Sequence, residues 1–101
     1  MKVPTTVQVG GHVYQIRLDP TLTDDHDSGQ VNYRTQVIRI HPGRSQSEMR
    51  ETLVHEILHV VNGVYCAGVL TEPSISGLGE GLNQVLAQLG IEFDWSGVET
   101  V

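Results

Sequence analysis

The chain has a single cysteine, Cys66, and therefore no intrachain disulfide; such scant thiol usage is the pattern of a reducing cytoplasm. No apolar run reaches the roughly 18 residues that a membrane-spanning helix needs, and no apolar segment follows the N-terminus as it does in a secretory leader. Basic residues are few and dispersed. Lys2, Arg17, Arg34, Arg39, Arg44 and Arg50 form no stripe, and against 12 acidic residues they leave a formal net charge of −6. This excludes the electrostatic footprint of a nucleic-acid binder and disfavours anionic membranes. Internal repeats and low-complexity tracts are also absent. What remains is a 101-residue chain, expected to form a single domain in the cytoplasm and long enough to bury one modest core without staples.

The patterning predicts an α+β domain with a small antiparallel or mixed sheet of three to four strands over residues 1–44. Thr6-Val7-Gln8-Val9 and Val13-Tyr14-Gln15-Ile16-Arg17-Leu18 alternate as strands, and Gly10-Gly11 is a hairpin signal between them. Residues 19–29 (DPTLTDDHDSG) read as a loop. Gln30–Tyr33 and the β-branched run Gln36-Val37-Ile38-Arg39-Ile40 suggest a second hairpin, turning at Arg34-Thr35, and Pro42-Gly43 stops the sheet. Ser45 followed by Glu48 has capping-box spacing, so a helix is expected over 45–66. Residues 68–75 look like a loop. Leu78, Leu82, Val85, Leu86 and Leu89 recur at helical spacing and place a second helix over 74–90, although Gly77, Gly79 and Gly81 weaken its start by ~1 kcal/mol each relative to Ala. The tail, 91–101, mixes apolar and acidic residues without a period.

Within the first helix stands His55-Glu56-Ile57-Leu58-His59, an instance of His-Glu-x-x-His. Positions i and i+4 share a helix face, with Cβ atoms roughly 5–6 Å apart, so two imidazoles there can hold one Zn²⁺ at about 2.0–2.1 Å. Zinc acidifies water that it binds, and the intervening Glu56 can then act as general base near neutral pH. Two His and a Glu also fall at this spacing by chance on surface helices. Here, however, Leu53, Val54, Ile57, Leu58, Val60 and Val61 surround them with an apolar surface. Polar groups in such a setting are costly unless something satisfies them, which favours the metal reading.

A catalytic zinc site takes three protein ligands. Downstream of His59 the candidates are Glu72, Glu80, Glu92 and Asp94. Glu80 is selected, because a carboxylate on a second helix packed against the first can face the His pair. Glu72 precedes a proline in an expected loop. The Asp24-Asp25-His26-Asp27 run reads as a solvated loop, and His41 as a surface residue. Trp95, Glu92 and Asp94 in the tail raise one further possibility: an acidic side chain reaching the metal and keeping the domain latent.

From about Gln30 to Leu89 the chain resembles small zincin metallopeptidases of the gluzincin kind, in particular ImmA/IrrE-type and SprT-like proteins of bacteria and their phages. The shared order is a short strand, a strand of the form VIRI, a Ser-capped helix bearing HEILH, a loop, and a second helix ending like GLNQVL. The resemblance implies His55 and His59 as zinc ligands, Glu56 as general base and acid, and Glu80 as the glutamate carried on the following helix; related sequences place that glutamate one turn earlier, at the position of Ser76. It further implies a minimal zincin acting as a zinc peptidase, with Tyr33 or Tyr65 steadying an oxyanion and a peptide or protein substrate lying as an extended strand along the edge formed by Gln30–Arg34. The alternative for so small a domain is a catalytically weak or latent zinc-bound interaction module.

Overall fold

The computed structural model describes residues 1–23 and 28–101. Four strands, β1 (Thr6–Val9), β2 (His12–Leu18), β3 (Gly29–Asn32) and β4 (Val37–Ile40), precede two helices, α1 (Gln46–Tyr65) and α2 (Glu72–Gln88). The fold is α+β, as the patterning requires. Among the described residues the strands form one mixed sheet in the order β1-β2-β4-β3.

Both expected hairpins form. β1 and β2 pair antiparallel with Val9 opposite His12, and Gly10 makes the turn at φ 60°, a conformation that favours glycine. β3 and β4 pair antiparallel with Asn32 opposite Val37. Their link is longer than a two-residue turn. Asn32 Oδ1 accepts from the N–H groups of Arg34 and Thr35, at 3.0 Å each, and Gln36, expected as the first residue of the strand, instead adopts φ 58°. An Asx side chain that bonds its own following backbone makes such a turn without glycine. The second hairpin docks on the first through a parallel β2–β4 pairing, Ile16 beside Ile38 and Leu18 beside Ile40. Ile16, Ile38 and Ile40 are completely buried.

α1 begins where Ser45 Oγ accepts from the Glu48 N–H at 3.2 Å. Met49, Leu53, Glu56 and Val60 form one buried row along it, and the helix packs on β1, β3 and β4. α2 packs on α1 and, among the described residues, on none of the strands. Its three glycines do not prevent the helix, because Ile75 is fully buried and Leu86 packs on the core; tertiary burial outweighs propensity.

The tail is not a loose end. Phe93, Trp95 and Val98 belong to the core. The Val3 N–H donates to Asp94 O and the Leu18 N–H to Glu99 O, both at 2.9 Å, so the two ends of the chain lie together.

Asp19, at the end of β2, is 1 % exposed. Hydrogen bonds from the Thr21 hydroxyl and N–H, and then the Arg39 guanidinium at 2.9 Å, hold its carboxyl below the usual carboxylate range. A depressed folded-state value means that this contribution is present above the unfolded-state pKa and is lost as pH falls through the lower, folded one. Asp19→Asn is therefore expected to flatten the fall in thermal midpoint on acidification below about pH 5, measured by circular dichroism melts; an unchanged acid slope would contradict this.

Candidate metal centre

His55 and His59 stand one turn apart on α1, each side chain 23 % exposed. Their Nε2 atoms approach to 3.2 Å, with ring planes at 64°. The third group at this point is Glu72. Its Oε1 lies 2.9 Å from His55 Nε2 and its Oε2 2.9 Å from His59 Nε2. These three residues form the one group of His, Cys, Asp or Glu with metal-holding geometry among the described residues.

The spacing fits a small divalent ion. Two nitrogens at about 2.0–2.1 Å from one zinc, with a tetrahedral angle between them, stand roughly 3.3–3.4 Å apart. The observed 3.2 Å is close to that. Two imidazole lone pairs and a carboxylate aimed at one point are mutually repulsive unless protons or a cation lie between them, so the donor chemistry fits as well.

The geometry brings Glu72, and not Glu80, to the two imidazoles. The reason is local. α2 starts at Glu72, earlier than expected, because Thr71 caps it by accepting from the Ser74 N–H at 3.3 Å. Pro73 occupies the first turn, where its missing N–H costs nothing. The loop expected over 68–75 is thus partly helix, and Glu72 sits where a helix terminus favours a carboxylate. Glu80 lies eight residues on, about 12 Å along the axis, lining the same cavity with Ser76 between them. Both glutamates are among the sequence candidates, with Glu80 ranked first; the geometry places Glu72 nearer the imidazoles.

An open cavity of 310 Å³ adjoins the centre, lined by Gly29, Thr52, His55, Glu56, Glu72 and Glu80 among others. Glu56 lies on the buried row of α1 and is 8 % exposed. Edge strand β3 closes over it at Gly29, where an added Cβ would meet Thr52 Cγ2 at 2.5 Å and Glu56 Cγ at 3.3 Å. Glycine at that position lets the strand approach the helix. Tyr33, just beyond β3, is half exposed. Burial, and then the neighbouring Glu56, Tyr14 and Glu72 side chains, raise its phenol above the ordinary value of 10.0.

The other sequence candidates lie elsewhere. Tyr65 is exposed beside the Gly10 turn. Glu92 lines a separate cavity with Arg50 and Phe93. Asp94 accepts from the Ser96 N–H at 2.9 Å, and no residue of the tail lines the metal-site cavity. His41, expected at the surface, is 9 % exposed, with Nδ1 accepting from the Gly43 N–H at 2.9 Å. His26 and its acidic neighbours fall outside the described residues. Among the described residues no helix is long and apolar enough to cross a membrane. No protein-family model, curated protein or solved structure matches the chain significantly.

Proposed function

We propose that the domain is a zinc-dependent peptidase of the gluzincin kind, acting on a peptide or protein substrate in the cytoplasm. The observation that carries this reading is the convergence of His55 Nε2, His59 Nε2 and both Glu72 oxygens on one point, beside a buried glutamate, Glu56, in an open cavity. His55, His59 and Glu72 would hold the ion, a His₂Glu set that in tetrahedral zinc sites leaves a fourth position for water or substrate. Zinc bound there supplies a Lewis acid that polarises a scissile carbonyl and makes water acidic.

The chain's own residues do the rest. Glu56 accepts a proton from the attacking water and later delivers one to the leaving amine. Tyr33, just beyond β3 and outside the residues that line the cavity, is the candidate to reach in and donate to the oxygen on which charge develops. β3 is an edge of the sheet and borders the cavity at Gly29, so an extended peptide can add to it as a strand.

The competing reading, a zinc-bound interaction module without turnover, leaves Glu56 unexplained. A structural zinc closes with four protein ligands and has no use for a base. The experiment that separates them is hydrolysis of a mixed peptide library by zinc-loaded protein beside chelator-stripped protein. Cleavage by the loaded form alone is the result expected. Bound zinc with no cleavage of any library peptide would favour the module.

A further inference from the structure

Away from the His55–His59–Glu72 group, one flank of α2 carries four exposed aliphatic side chains. Leu78, Leu82, Val85 and Leu89 are 46 %, 43 %, 49 % and 68 % exposed. At 3.6 residues per turn they fall within about 60° of arc, on the flank of the helix roughly opposite Ser76 and Glu80. Their spacing of four, three and four residues is that of a two-stranded helical seam. The stretch from Gly81 to Ile91 carries no charge, whereas the chain as a whole stands at −6. A second copy is repelled by most of this surface, and on this flank it meets aliphatic side chains and amides instead. We propose that this flank of α2 binds the same flank of a second copy, forming an antiparallel helix pair about a two-fold axis.

The spacing is self-complementary. A two-fold axis midway along the stripe sets Leu82 of one copy against Val85 of the other, and Leu78 against Leu89, so each side chain is both donor and receiver of the same contact. The patch is small. Four half-exposed aliphatic side chains fall short of the ~800 Å² that each partner of a standard interface buries, so the dimer is weak, with a dissociation constant on the order of 10⁻⁴ M. Because the seam lies opposite the Ser76–Glu80 flank, pairing leaves the metal centre open.

Sedimentation equilibrium of the full chain between about 10 μM and 1 mM, a range that brackets the expected constant, tests this. The wild-type mass rises from one chain towards two. The Leu82→Glu, Val85→Glu double variant stays at one chain, with unaltered zinc stoichiometry. Should that variant fail to fold, the single variants Leu82→Lys and Val85→Glu each associate at least tenfold more weakly than wild type, and their mixture regains association, because the two altered positions face each other. A wild-type chain that stays monomeric to 1 mM would overturn the proposal, as would a dimer indifferent to these substitutions, which would place the interface elsewhere.

Discussion

Glu56→Gln is expected to retain zinc at wild-type stoichiometry and to lose hydrolysis by about 10²–10⁴-fold, the usual contribution of a positioned general base. The amide keeps the shape of the side chain and its place on the buried row of α1 with Met49, Leu53 and Val60. It cannot take up the proton. Because Glu56 is not in the His55, His59 and Glu72 group that could hold an ion, affinity and turnover are expected to separate in this one variant. Elemental analysis and cleavage rate, measured on the same preparation, read the two quantities. Full activity in the variant would remove Glu56 from the chemistry. Loss of zinc alongside activity would show that its role is to support the ligands.

The second large effect concerns the tail. Ending the chain after Gly90 is expected to leave it unfolded. Phe93, Trp95 and Val98 are each 7–8 % exposed, and at ~1.5–3 kcal/mol per buried side chain their removal withdraws roughly 5–9 kcal/mol. The whole stability of such a domain is about 5–15 kcal/mol. The backbone bonds to Val3 and Leu18 go as well. A milder probe is Trp95→Ala, expected to cost about 3–5 kcal/mol and to lower the melting midpoint by at least about 12 °C. Among the described residues the Trp95 Nε1–H has no acceptor, so the cost is one of packing. A latent enzyme held in check by its tail would behave in the opposite way, with the shortened chain folded and more active. A folded, unchanged product would show that the tail's burial does not matter.

These two experiments bear on what could be read before the fold was known. α1 was legible to within a residue, because Ser45, Glu48 and the apolar row are local signals, and HEILH marked the face on which the two imidazoles meet Glu72. The two hairpins were legible from Gly10-Gly11 and from the β-branched run in 36–40. Their parallel docking through β2 and β4 was not, since pairing across 22 positions, as between Ile16 and Ile38, leaves no local trace. Glu72 was ranked below Glu80 because of one residue: Pro73 reads as a breaker, yet after a capping threonine it opens a helix. That moved the start of α2 to Glu72 and with it the carboxylate. The tail was opaque for a different reason. Its burial depends on meeting Val3 and β2, so neither a period of 2 nor one of 3.6 marks it.

His55, His59 and Glu72 are proposed to hold one metal ion. The most direct test is a zinc titration of wild-type protein beside Glu72→Ala and Glu80→Ala, read by competition with a chromophoric chelator. One zinc per chain in the wild type, at least about 100-fold weaker binding in Glu72→Ala given what even supporting residues of a zinc site contribute, and near-wild-type affinity in Glu80→Ala is the result expected. No zinc bound to the wild type, or binding that survives in Glu72→Ala and fails in Glu80→Ala, would contradict it.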